Sequence, residues 1–156
     1  MTFRDDLNQD TVSSLQLREA IVIQPETSVS DAVALMRGKS LGCAVIVDQG
    51  GTPRGFFTEQ SLLVAILQHD SLDDQLVSSF VDPDFITVQS SDPISHVWEA
   101  VRSTGSRFIC VTDDEGNLIG VTGQRGLAEY VAEYFPQQVS VQRVGSTPWM
   151  QNREGA

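Results

Sequence analysis

Positive charge is scarce in this chain. Ten Lys and Arg stand against 21 Asp and Glu in 156 residues, a formal net charge of −11. A nucleic-acid partner needs a basic face to displace counterions from phosphates, and an anionic membrane surface makes the same demand; both are disfavoured. No apolar run approaches the roughly 18 residues of a membrane-spanning helix. Histidine is limited to His69 and His96, far apart, and cysteine to Cys43 and Cys110. No His/Cys ligand spacing supports a zinc site, and both cysteines fall in apolar, strand-like runs, as buried free thiols do. Met1 to Asp10 is polar and acidic, with no basic region leading into an apolar stretch. No secretory leader is expected, and a cytoplasmic protein is the simplest reading. Gly-x-Ser-x-Gly elbows and Walker-type phosphate loops are also missing, so no enzyme is expected.

What the chain does contain is a copy of itself. Val12 to Ala65 recurs without gap as Val77 to Tyr130, carrying Gly55 onto Gly120, Ile21 onto Ile86, Gln24 onto Gln89, Asp48 onto Asp113 and Gly51 onto Gly116. Equal loop lengths in the two copies predict two equivalent halves around a pseudo-twofold axis. Ligand clefts then belong where the halves meet. Each copy is small enough that the two should share a core.

Each half reads as β-α-β-β-α. A short extended segment, Ala20 to Gln24 in the first half, precedes a helix predicted to start after a cap at Thr27, or at Asp92 in the second half. Val29, Ala32, Val33 and Met36 repeat at i, i+3, i+4 and i+7, as do Ile94, Val97, Trp98 and Val101, giving each first helix a buried stripe. Trp98 reads as a core or subunit-interface anchor. The runs Cys43 to Val47 and Phe108 to Val111 predict strands covered on both faces. Glycine-bearing turns at Asp48–Gly51 and Asp113–Gly116 then lead into third strands. A second helix follows, with stripes of Leu62, Leu63, Ile66 and Leu67 and of Leu127, Ala128, Val131 and Ala132. The expected layout is a tail over 1–10, repeats over 11–69 and 76–135, a polar linker over 70–75, and a C-terminal tail over 136–156. In that last segment Trp149 either docks on the body or a partner, or belongs to a mobile terminus.

This order of elements, with a Gly-apolar-apolar-Thr segment launching the second helix, resembles the cystathionine β-synthase (CBS) domain. Two in tandem resemble a Bateman module over about residues 11 to 135. The resemblance implies an α/β (α+β) fold of two CBS repeats, and a regulatory role in which adenosyl ligands occupy the clefts between repeats. Within the family motif, Gly-apolar-apolar-Thr/Ser-x-x-Asp, the hydroxyl reaches ribose or phosphate and the carboxylate accepts both ribose hydroxyls.

Both copies depart from that motif. The first reads Gly55-Phe56-Phe57-Thr58-Glu59-Gln60-Ser61, with Ser61 where the Asp belongs and Glu59 placing negative charge beside the cleft. The second reads Gly120-Val121-Thr122-Gly123-Gln124-Arg125-Gly126, with glycine replacing both hydroxyl and carboxylate. Thr58 suits both ligand contact and helix capping. Ile23, Cys43, Ala44, Val45, Phe57, Val88, Phe108 and Ile109 could line adenine pockets or simply fill a core. Arg107 and Arg125 could meet phosphate or be solvated charges. Gly123 and Gly126 could admit a ligand to the backbone or reflect a decayed motif.

The leading expectation is therefore a non-enzymatic sensor of AMP, ADP, ATP or S-adenosylmethionine, with no cofactor required. The alternative is a ligand-free dimerisation scaffold or a regulatory subunit of an unidentified protein target. A homodimer through the repeat helices suits either reading.

Overall fold

The computed structural model describes residues 2–134; Trp149 and the docking considered for it lie outside them. Two three-stranded sheets carry the fold. The first holds β1 (Val22–Ile23), β2 (Cys43–Val47) and β3 (Pro53–Thr58), and the second β4 (Thr87–Gln89), β5 (Phe108–Thr112) and β6 (Leu118–Gly123). In each, the first strand pairs parallel with the second and the second antiparallel with the third.

The registers are superimposable. Cys43 faces Thr58 as Phe108 faces Gly123, and Ile46 faces Gly55 as Val111 faces Gly120. Even the irregularity falls at the same place, between Ile46 and Val47 and between Val111 and Thr112. The turns are built alike too. Asp48 Oδ1 accepts from the N–H groups of Gly50 and Thr52, and Asp113 Oδ1 from those of Glu115 and Asn117. Those bonds hold both carboxyls below the ordinary aspartate range, backbone donors being the largest cause.

Five helices complete the described chain: α1 (Phe3–Gln9), α2 (Val29–Lys39), α3 (Glu59–Gln68), α4 (Ile94–Thr104) and α5 (Gln124–Tyr134). The residues expected to cap α2 and α4 do something else. Thr27 Oγ1 accepts from Gln24 N at 3.0 Å and Asp92 Oδ2 from Gln89 N at 2.8 Å, closing the turn before each helix. Ser28, one residue on, caps α2 by accepting from Asp31 N, and Pro93 directly precedes α4. Short polar side chains serve either task, and here the strand-to-helix reversal takes them.

The stripes of α2 and α4 hold for Val29, Ala32, Met36, Ile94 and Val97, all buried, while Trp98 is 46% exposed and so is no core anchor. The stripe expected on α3 is rotated. Ser61 and Ala65 face inward, whereas Leu63, Val64, Ile66 and Leu67 are exposed, Leu67 by 84%. The cap explains the rotation: Ser61 must turn inward to bond the backbone of Thr58, and the i+4 residue Ala65 follows it. On α5 Leu127 is buried, but Ala128 and Ala132 are exposed.

The first ten residues, expected as a polar tail, contain α1. Its Leu7 is buried in a cluster with Val12, Leu15, Ile94, Val97, Ile109 and Val111. Tyr130 Oη donates to Asp10 at 2.5 Å, and Tyr134 Oη to Asp6. The second cluster centres on the first repeat but takes in Cys110 and Val121 from the other.

Each repeat is clasped by the lead-in segment of its twin. Val12 N donates to Asp92 O and Ser13 N to Ser90 O; correspondingly, Val77 N donates to Thr27 O and Ser78 N to Pro25 O. Ile94 N to Asp10 O and Val29 N to Gln75 O complete the exchange. These backbone bonds cross the repeat boundary and weld the halves together.

Candidate functional site

Two cavities of about 370 and 380 Å³ open between the repeats. They are counterparts under the repeat: Thr58 lines one where Gly123 lines the other, and Phe56 corresponds likewise to Val121. Gly42, Glu59, Arg107 and Phe108 line both, forming the partition between them. Arg107 lies 3.4 Å from Glu59 Oε2, and its guanidinium carbon sits 5.4 Å from the Phe108 ring centroid. Gly42 makes room for this arrangement, since a Cβ there would come within 3.1 Å of Glu59 Oε1 and 3.2 Å of the Phe108 ring.

In the first cleft, Thr58 carries two structural tasks. Its Oγ1 accepts from Ser61 N at 3.3 Å, while Ser61 Oγ accepts from Thr58 N at 3.0 Å, a reciprocal cap for α3. The hydroxyl then donates to Asp82 Oδ2 at 2.7 Å. Asp82 Oδ1 accepts from Asp84 N, and Asp82 N bonds to Phe56 O, which pins the carboxylate at the cleft wall. A carboxylate offers about four acceptor positions, so room for further donors remains on it. Asp82 is not legible in the sequence, because its counterpart in the first repeat is apolar Leu17. The clue that was available is Val81-Asp82-Pro83-Asp84, an acidic, proline-fixed lead-in to β4.

In the second cleft the glycines are filled by the chain itself. A Cβ at Gly123 would collide with the carbonyl oxygen of Arg107, and one at Gly126 with Thr122 Oγ1. Gly123 thus lets two strands approach, and Gly126 lets Thr122 pack under the first turn of α5. Thr122 Oγ1 is the buried side-chain polar atom that lacks a hydrogen-bond partner among the described residues. Arg125 pairs with Glu129 at 3.3 Å, and Arg18, also missed from sequence, donates to Ser40 O.

Of the expected site residues, Thr58, Arg107, Phe108, Gly123, Arg125 and Gly126 border the two clefts. Ser61 borders a smaller neighbouring groove with Phe80 and Pro83. Ile23, Cys43, Ala44, Val45, Phe57, Val88 and Ile109 are buried in the strands and line neither cleft. β2 is covered on both faces, as is most of β5, while on β1 and β4 the inward-facing Ile23 and Val88 are buried between exposed neighbours. Burial also pushes the thiols of Cys43 and Cys110 up to about 12, so both stay protonated at neutral pH.

Known proteins share this architecture. The chain is 22% identical over 120 residues to an uncharacterised Methanopyrus kandleri protein, MK0525, covering 76% of this chain and 61% of the relative's length. The CBS domain protein PAE2072 from Pyrobaculum aerophilum, complexed with AMP, superposes with a TM-score of 0.69 at 23% identity, over 76% of this chain and 90% of that one. The CBS domain pair of MJ0100, in complex with 5′-methylthioadenosine and S-adenosyl-L-methionine, gives 0.70 at 17% identity, over 80% and 98%. The family model for the CBS domain matches twice, over residues 12–68 and 77–133. With equal registers, equal bulges and two counterpart clefts, the chain belongs to the CBS domain family as a tandem pair.

Proposed function

We propose that this protein is a non-enzymatic regulatory module that senses an adenine nucleotide or another adenosyl ligand in the clefts between its repeats. The observation that carries this reading is the pair of counterpart cavities at the repeat boundary, one bordered by a hydroxyl and a carboxylate held 2.7 Å apart in Thr58 and Asp82. The AMP complex of one structural neighbour and the methylthioadenosine and S-adenosylmethionine complex of another support the ligand class. A ligand in either cleft touches both repeats, so its binding energy acts on their mutual packing. Thermal unfolding with AMP, ADP, ATP and S-adenosylmethionine tests the proposal. A ligand at 100 times its dissociation constant adds about 2.7 kcal/mol of stability, and no shift with any of the four at millimolar concentration overturns it.

A second reading, a ligand-free dimerisation module, is favoured by the exposed face of α3. Leu63, Val64, Ile66 and Leu67 form an apolar surface of the kind that a homodimer through the repeat helices would cover. Sedimentation reports on it directly: a monomer at micromolar concentration removes that reading.

A further inference from the structure

The two clefts are counterparts in shape but opposites in charge. Around Gly123, three guanidinium groups (Arg18, Arg107 and Arg125) face two carboxylates. Around Thr58, three carboxylates (Glu59, Asp82 and Asp84) face Arg107 alone. Arg107 is common to both cavities and is tied to Glu59 at 3.4 Å. One cation therefore serves two sites.

We propose that the clefts are sorted by ligand charge: the Gly123 cleft takes a phosphate-bearing nucleotide, and the Thr58 cleft takes only a nucleoside without phosphate. This rests on the adenosyl-sensor reading and assigns a ligand class to each of its sites. Beyond the arginines, the Gly123 cleft is bordered by the first turn of α5, whose preceding residue has no side chain with which to cap the helix amides. Those amides and the helix dipole favour an anion. Thr122, whose buried hydroxyl has no partner among the described residues, borders the same cleft. In the Thr58 cleft the corresponding amide of α3 is already capped, and a phosphate would meet Glu59, Asp82 and Asp84. Neighbouring ribose hydroxyls instead suit Asp82, whose carboxylate keeps acceptor capacity beyond the bonds from Thr58 and Asp84. Glu59 enforces the sorting by holding Arg107 on the partition. A phosphate that draws Arg107 into the Gly123 cleft withdraws the one cation of the Thr58 cleft, whose three carboxylates then exclude a second phosphate.

Isothermal titration of the full chain with AMP and with adenosine tests this, alongside the Arg125→Gln, Asp82→Asn and Glu59→Gln variants. Thermal melts confirm that each is folded; Arg125 is exposed, so its replacement does not touch the core. AMP binds one per chain and weakens as salt rises, whereas adenosine is insensitive to salt. Arg125→Gln weakens AMP about tenfold and leaves adenosine unchanged, Asp82→Asn does the reverse, and Glu59→Gln tightens AMP. If AMP binds but Arg125→Gln leaves it untouched, or Asp82→Asn weakens it more, the sorting is wrong while the sensor stands. If neither compound binds the wild-type chain, the sensor reading fails and takes the sorting with it.

Discussion

Thr58 donates its hydroxyl to Asp82 at 2.7 Å across the repeat boundary while accepting from the backbone of Ser61. The same oxygen that ends β3 and starts α3 therefore also positions a carboxylate from the second repeat. Replacing it tests both tasks. Thr58→Val should destabilise the protein by about 1–3 kcal/mol in urea unfolding, since a cap and a hydrogen bond to a charged group are both lost. Thr58→Ser, which keeps the oxygen, should recover most of that loss.

Gly126 and Thr122 give a second test, because a methyl group at Gly126 would collide with Thr122 Oγ1. Gly126→Ala should cost about 1–3 kcal/mol by overpacking. Thr122→Ala should relieve it, so the double variant is more stable than the sum of the single changes predicts. Additive behaviour would show that the collision is absorbed elsewhere.

Buried thiols set an upper pH limit. Cys43 and Cys110 titrate near 12 in the folded chain against 9.0 for an unperturbed thiol. Their contribution is intact below the unfolded value and is lost as pH rises from about 9 towards 12, where the unfolded chain ionises first. Urea midpoints should fall across that window. Iodoacetamide at pH 8 should label the native chain far more slowly than the unfolded one.

Leu67 separates association from folding. At 84% exposure its replacement by Asp should change the monomer's stability by less than about 0.5 kcal/mol. If α3 forms the dimer contact, Leu67→Asp should dissociate it in sedimentation while leaving the melting curve of a dilute sample unchanged.

Leu7 tests whether α1 is part of the fold. Leu7→Ala should cost about 2–4 kcal/mol, as at a core position, although the residue lies before the first repeat. A change within 0.5 kcal/mol would mean that α1 is peripheral.

The succession of elements and the turn chemistry were legible because they rest on local patterns: apolar runs such as Cys43 to Val47, and an Asp followed two or three positions later by Gly. Their duplication removed the ambiguity that a single short run carries. The first strand, expected over Ala20–Gln24, is only Val22–Ile23. The orientation of α3 was not legible. Leu62, Leu63, Ile66 and Leu67 make a plausible buried stripe, but the reciprocal bond between Thr58 and Ser61 sets the helix phase and turns Ser61 and Ala65 inward. Periodicity identifies a face; it does not say which face meets the sheet. Within the site, Thr58, Arg107 and Arg125 were identifiable from the motif and its neighbours. Asp82 and Arg18 were not, because they enter the clefts through long-range pairings to Phe56 and Val121 that no local spacing encodes. Several apolar strand residues read in sequence as either pocket lining or core, because a hydrophobic pocket and a hydrophobic core look alike there.

The reciprocal docking of the lead-in segments has a consequence for synthesis on the ribosome. The N–H of Val12 finds its acceptor at Asp92, and the buried face of α1 packs in a cluster that draws Ile94, Val97, Ile109 and Val111 from the second repeat. Residues 7 to 13 must therefore wait for residues 90 to 97, and β3 gains its bridge at Phe56 only when Asp82 arrives. Such non-local closure slows folding and leaves a nascent first half with open backbone groups until its twin arrives.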